Sequence, residues 1–194
     1  MKIIVVYAPK PSDRPEEKKI LVWPDSALVR SGKPVFLSDD DLFIHPGLCV
    51  RIDAVGKSIR PKFAYKYFSE TAPMGVILSR SASAKISEGE DPSCNDIVAD
   101  YSLICGDFTS EVDFPLSISM QMEDLGTDQK EQLTEEVPQG MIADSIAAGS
   151  RRNTLKTGDI VGFILPGRMK ASRDRLLRMN FDNSTTYLIE NKLK

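Results

Sequence analysis

Apolar and polar residues alternate along this chain more often than they recur at helical spacing. In Phe114 to Met122, the residues Phe114, Leu116, Ile118, Met120 and Met122 fall on one side of an extended chain. A period of two predicts a half-buried strand. Leu48 to Val55 alternates more loosely and predicts another. Met1 to Ala8, Ile20 to Trp23, Val35 to Leu37, Met74 to Leu78, Tyr101 to Cys105 and Ile160 to Leu165 are short apolar runs beside turn or charged residues. Such runs suit strands, and Ile160 to Leu165, apolar throughout, predicts one buried on both faces. Arg175 to Phe181 and Thr185 to Ile189 flank Asp182-Asn183-Ser184 and predict a closing hairpin.

Helical spacing is rarer. Lys62 to Glu70 follows Pro61, a residue suited to a first helical turn, and Phe63 and Tyr67 share a face. Pro138 to Ser150 places Met141, Ile142, Ser145, Ile146 and Gly149 near one stripe. Ser81 to Gly89 is small and polar and predicts a short helix. Pro9 to Lys19 mixes prolines with charges and predicts a loop. Ser38 to Asp41 predicts an acidic loop, Glu123 to Thr134 a polar turn and return, and Leu155 to Asp159 a turn. Strands outnumber helices, and no repeat or second domain is visible. The expectation is a single α+β domain over residues 1–194, mostly β, with few short helices.

Composition narrows the class. The 194 residues are 41% hydrophobic and 27% charged, as in an ordinary globular chain with a real core. A net charge of -3 gives no global reason to expect nucleic acid or an anionic membrane as partner. No apolar run approaches the ~20 residues of a membrane-spanning helix. The apolar start, Met1 to Ala8, is too short for a secretion signal. The three cysteines, Cys49, Cys94 and Cys105, are odd in number and widely spaced, which argues against a disulfide framework or a zinc site. Cys49 and Cys105 sit among apolar residues and are expected as buried thiols in a reducing cytoplasm.

His45 is the only histidine. It cannot form a zinc site alone, and it is expected as a polar residue at a strand start. Cys49 lies four residues on. In a strand those two positions share a face, so the spacing allows a His45–Cys49 dyad of base and nucleophile. Ser38 to Asp41 lacks the spacing and the glycine of a calcium loop. Arg151, Arg152, Arg168, Lys170, Arg173, Arg175 and Arg178 give the last third a basic bias that reads as an exposed mixed face.

The order of these segments resembles a known family. Pro24-Asp25-Ser26-Ala27-Leu28, Gly32-Lys33-Pro34-Val35-Phe36-Leu37, His45 and Gly56-Lys57-Ser58-Ile59 are similar to the front half of the fumarylacetoacetate hydrolase family. Phe63 to Phe68 resembles that family's next helix, and Met74-Gly75-Val76-Ile77 its next strand. Asp100-Tyr101-Ser102-Leu103-Ile104-Cys105-Gly106 resembles its D-x-S-x-x-x-G strand. Leu155 to Val161 resembles its L-x-x-G-D-x-I turn, and Arg173 to Leu176 the turn before its last hairpin. The resemblance runs from Ile20 onward. It implies a mixed, curved β-roll like the family's C-terminal domain, dimeric, with residues 9–19 standing where the family has a longer lid.

The resemblance also implies a magnesium, manganese or calcium ion held by two glutamates and an aspartate. Here those positions fall on Gly47, Cys49 and Ile77, and an ion of this kind needs several oxygen ligands. The family's lysine falls near Ile97, and its Thr-Gly-Thr-Pro loop has become Ile164-Leu165-Pro166. Arg80 and Asp100 match substrate-side positions. The expectation is a family-like cytoplasmic homodimer without metal cofactor or catalysis, retaining a small anionic ligand or a partner role. The alternative is an active enzyme with a rebuilt site that hydrolyses, isomerises or decarboxylates acylpyruvates or β-diketo acids. It would use Asp25, Asp53 or Asp100 as substitute ligands, or His45 with Cys49.

Overall fold

The computed structural model describes residues 1–7, 18–29, 35–37, 41–88, 90–92, 101–110, 116–138, 140–172, 175–181 and 187–191. Asp100, Cys94, Phe114, Arg173, the turn at 182–186 and most of the expected loop at 9–19 lie outside them.

Two sheets form the body of the molecule. The larger takes β1 (Lys2–Tyr7), β2 (Lys19–Pro24), β3 (Leu28–Val29), β5 (Asp41–Ile52), β6 (Phe68–Ser79), β7 (Leu103–Cys105), β10 (Ile160–Ile164) and β11 (Met169–Ser172). Its strands run β2-β1-β10-β5-β6-β7-β3, with β11 also on β5. The β1–β10 and β3–β7 pairs are parallel and the others antiparallel, so the sheet is mixed. The second sheet takes β4 (Val35–Leu37), β8 (Leu116–Asp124), β9 (Gln129–Val137), β12 (Arg175–Phe181) and β13 (Tyr187–Asn191), in the order β4-β13-β12-β8-β9. There are two α-helices among the described residues, α1 (Arg80–Glu88) and α2 (Met141–Arg152). The mostly-β roll with few helices is therefore present, and no described helix is long and apolar enough to cross a membrane.

Strand alternation sorts the large sheet into two cores. On one face Ile4, Leu42, Ile44, Leu48, Ile77 and Val161 meet the second sheet's Ile118, Met120, Met179 and Phe181 and the apolar side of α2. On the other face Ile3, Val5, Cys49, Met74, Val76, Leu78 and Cys105 meet Ala82 and Ile86 of α1 and Trp23 of β2. Asp159, at the end of the predicted turn, fastens β1 to this frame. It accepts from the Lys2 backbone N–H at 3.0 Å, the Lys2 ammonium at 2.5 Å and the Lys156 N–H at 2.8 Å.

Three sequence expectations need correction. The helix predicted over Lys62 to Glu70 is a 3-10 turn, Pro61–Lys66, and the chain becomes strand at Phe68. Pro61 does start a helical turn, but the next dozen residues are claimed by pairing with β5 on one side and β7 on the other. The strand predicted from Leu48 starts at Asp41, because Pro46 and Gly47 are accommodated inside it rather than ending it. The polar stretch from Glu123 to Thr134 is mostly strand: β8 and β9 form a hairpin with a turn between Asp124 and Gln129. Pairing with β8 supports β9 in spite of its polar sequence.

Candidate functional site

The site grows out of a fork in β5. Over Asp41–Ile44 the strand pairs with β11, and over Gly47–Arg51 it pairs with β10. Between these stretches stand His45 and Pro46. Proline has no N–H to give a neighbouring strand, so a partner strand can leave there. The chain leaves as Leu165-Pro166-Gly167-Arg168, held by the Leu165 N–H on the Pro46 carbonyl at 2.8 Å. That loop arches over His45.

His45 is 1% exposed. Its Nε2 lies 2.9 Å from Ser83 Oγ, on α1, and Arg168 Nη1 donates to the same oxygen at 2.9 Å. Because the guanidinium donates to Ser83, the hydroxyl's own hydrogen is available for His45 Nε2, which assigns the neutral ring with hydrogen on Nδ1. That Nδ1 has no hydrogen-bond partner among the described residues. The Leu165 and Gly167 carbonyls act on the ring, but neither lies in line for a hydrogen bond. Burial, helped by the nearby Arg168 charge, pushes the His45 pKa from 6.5 down to about 4 in spite of those carbonyls. The ring is neutral at pH 7.

Beside His45 opens a cavity of about 300 Å³. Tyr7, Lys18, Ile86, Ser87, Glu135, Met141 and the Ile164-Leu165-Pro166 loop are among its walls. Lys18 Nζ pairs with Asp144 at 3.2 Å, and Tyr7 donates to Asp91 at 2.8 Å. Lys18 and Glu135 carry no motif. Lys18 sits in a charged, proline-rich stretch and Glu135 in a polar strand, so the sequence does not single them out.

Gly47, Cys49 and Ile77 can now be placed. Gly47 and Cys49 share a face with His45, but Ile77 points to the opposite face, into the core shared with the second sheet. The β6 residues opposite Gly47 and His45 are Met74 and Val76, on the same face as Cys49. A Cβ at Gly47 would stand 2.1 Å from the Phe163 carbonyl oxygen and 2.8 Å from Met74 Cε, and one at Gly162 would stand 2.6 Å from Met74 Sδ. The Met74 thioether therefore fills the hollow between Gly47 and Gly162. Next to it, Cys49 Sγ lies 3.4 Å from Cys105 Sγ; both thiols are free and buried. The Cys105 contact and burial hold the Cys49 thiol well above the usual thiol range.

The remaining predicted residues do not gather here. His45 and Cys49 lie on one strand face, about 13 Å apart at ~3.3 Å per residue, and each has a different partner. Arg80 is exposed at the first turn of α1, while Ser87, at the cavity, is seven residues further along that helix. Asp25 is exposed at the start of a 3-10 turn after β2, and Asp53 is exposed just past the end of β5. Among the described residues no group of three or more His, Cys, Asp or Glu could hold a metal.

At the level of sequence no family model and no curated protein matches this chain. Solved structures do match. Fumarylpyruvate hydrolase from Pseudomonas aeruginosa, solved with Mn2+ and pyruvate, superposes with a TM-score of 0.69 at 18% identity, over 100% of this chain and 90% of that one. 5-Carboxymethyl-2-hydroxymuconate delta-isomerase from Mycobacterium smegmatis superposes with a TM-score of 0.68 at 17% identity, over 98% and 78%. A candidate fumarylacetoacetate hydrolase family protein from Yersinia pestis CO92 gives 0.72 at 18%, over 97% and 91%. The chain has the fold of fumarylacetoacetate hydrolase-like proteins.

A divalent ion such as the Mn2+ of the Pseudomonas enzyme does not fit the residues that stand here. Hard cations take oxygen ligands. The face holding Gly47 and Cys49 offers the His45 imidazole, the Tyr7 phenol, thiols, a thioether and hydrocarbon, and no carboxylate among the described residues.

Proposed function

We propose that this chain is a divergent member of the fumarylacetoacetate hydrolase family in which apolar packing has replaced the hard-metal centre. What it retains is binding of a small molecule in the cavity beside His45. The observation that carries this reading is Met74 lying across Gly47 and Gly162, where a restored side chain at position 47 would strike the Phe163 backbone. In a metal-dependent member of this fold the ion would polarise a carbonyl or enolate oxygen. Here a neutral, buried His45 and a buried thiol pair offer no equivalent stabilisation, and no catalytic step is assigned to them.

The test is turnover. Purified protein supplied with Mn2+ or Mg2+ and an acylpyruvate such as fumarylpyruvate is expected to consume none above the buffer rate. Saturable turnover abolished by Cys49→Ala would overturn the proposal and support the rebuilt-site enzyme instead.

A further inference from the structure

Exposed cations across much of this surface have acidic partners. Arg51 meets Glu70, Lys130 and Arg178 meet Glu123, and Arg175 meets Asp124. One stretch departs from this. From Ala54 to Ser69 the sequence holds Lys57, Arg60, Lys62 and Lys66 and no acidic residue. All four are exposed, and none has an ion pair among the described residues.

The fold adds to this positive charge rather than balancing it. The Ser58 N–H donates to the Ser150 carbonyl at 2.9 Å, and the Ile59 N–H donates to Ser150 Oγ at 2.9 Å. Gly56 and Leu155 exchange backbone hydrogen bonds at 3.1 and 2.8 Å. These bonds hold the loop against the C-terminal end of α2, where Arg151 and Arg152 are exposed. The basic residues of the last third are thus divided. Arg175 and Arg178 join acids of the second sheet, while Arg151 and Arg152 join Lys57 and Arg60. Like charges gathered on one surface repel each other. In a chain of net charge -3, such a gathering suits an anionic partner.

The aromatic residues narrow the kind of anion. Phe63 is 43% exposed and Tyr65 52%. Both stand on the Pro61–Lys66 turn, which packs against α2 and buries Ala64. The Lys62 and Lys66 ammoniums lie 4.9 and 5.6 Å from the centre of the Phe63 ring. In a single-stranded nucleic acid each base has a phosphate on either side of it along the chain. A base stacked on Phe63 brings its phosphates to these two ammoniums. A duplex hides its base faces and offers no such contact. An anionic membrane would engage the same cations, but the residues beside the ring are lysines rather than the apolar side chains that enter a bilayer.

We propose that this face binds single-stranded nucleic acid without reading its sequence. Bases stack on Phe63, and phosphates meet the exposed lysines and arginines around it. The face lies at the C-terminal end of α2 and the cavity beside His45 at its N-terminal end, so neither reading depends on the other. The net charge gives no reason to expect this partner, because it averages over the acids gathered elsewhere.

Fluorescence anisotropy of a short labelled oligo(U), titrated with the full chain at about 50 mM salt, tests the proposal. The oligomer is expected to bind. An abasic oligomer of the same length keeps the phosphates and is expected to bind weaker by about fivefold or more, the loss of one stacked base. Phe63→Ala is expected to cause the same loss with oligo(U) and none with the abasic oligomer. Lys62→Gln and Lys66→Gln are each expected to weaken both oligomers and to make log affinity against log salt shallower by about 0.7. Lys130→Gln, on the second sheet, is expected to change nothing. All these side chains are exposed, and a thermal melt confirms that each variant folds. Equal binding of the two oligomers overturns the proposal, as does Phe63→Ala binding oligo(U) like the parent. No binding of oligo(U) below about 100 µM protein overturns it too. Vesicles of anionic lipid captured where oligo(U) is not would assign the face to a membrane instead.

Discussion

Met74 occupies the space that a side chain at Gly47 would need. Its Cε is 2.8 Å from the position a Gly47 Cβ would take, and the Phe163 carbonyl oxygen is closer still, at 2.1 Å. The carbonyl belongs to the β10 ladder and cannot give way as a flexible side chain would. Gly47→Ala is therefore expected to destabilise the fold by about 3 kcal/mol or more, the upper range for overpacking a core. Gly47→Glu should fail to fold rather than restore a ligand. Urea midpoints of the purified variants check this. A Gly47→Ala protein as stable as the parent would mean that the hollow is not filled.

Cys49 and Cys105 touch but should not form a disulfide. They sit on β5 and β7, with β6 between them. An intervening strand holds the two backbones further apart than neighbouring strands, at about 4.8 Å per step in a flat sheet, so the side chains must reach toward each other to bring the sulfurs to 3.4 Å, a poor starting geometry for a bridge. Burial also keeps the nucleophilic thiolate from forming at Cys49. Iodoacetamide should leave both unmodified in the native protein and modify both in denaturant, as read by peptide mass spectrometry. A Cys49–Cys105 bridge formed under mild oxidation would contradict this geometry.

His45 should make stability depend on pH in a defined window. Its folded pKa of about 4 lies below its ordinary 6.5, so between these values the unfolded chain binds the extra proton. The stabilisation from keeping it neutral is complete above pH 6.5 and is lost as pH falls toward 4. At ~1.4 kcal/mol per unit the total is about 3 kcal/mol. Carboxylates titrate in the same range, so the quantity to compare is the slope of the parent against that of His45→Gln, which should be shallower. Because this is the only histidine, one NMR titration reads its pKa directly. A value near 6.5 would refute the burial argument.

Asp159 joins the start of β1 to the turn before β10 through three contacts, two of them from Lys2. It is 3% exposed. Asp159→Asn leaves the Lys2 ammonium without its partner and should cost about 2 kcal/mol, in line with hydrogen bonds to charged groups. Thermal unfolding checks this, and a loss below about 0.5 kcal/mol would show the contacts to be incidental surface pairing.

The sequence reveals elements where local pattern and tertiary demand agree. β8 alternates because one face is buried, α2 carries one apolar stripe, and β10 is apolar throughout because both faces are covered. It misleads where pairing overrides local signals. Phe68 and its successors read as the end of a helix but complete a strand, and the strand expected from Leu48 already runs from Asp41 through Pro46 and Gly47. The replaced ligand positions Gly47 and Cys49 are legible, because a missing oxygen is visible in the sequence. Ile77 facing away from them is not legible, since the face of a strand follows from register. Lys18 and Glu135 become visible only when β2, β9 and α2 bring them to one cavity.

The most direct measurement is titration of the protein with Mn2+, following the electron paramagnetic resonance signal of the free ion. With Met74 and two thiols where oxygen ligands would be required, the free signal should rise in proportion from the first addition, as it does in buffer. Silencing of one equivalent of Mn2+ per chain at sub-millimolar concentration would show that a hard-metal centre persists and would contradict the account.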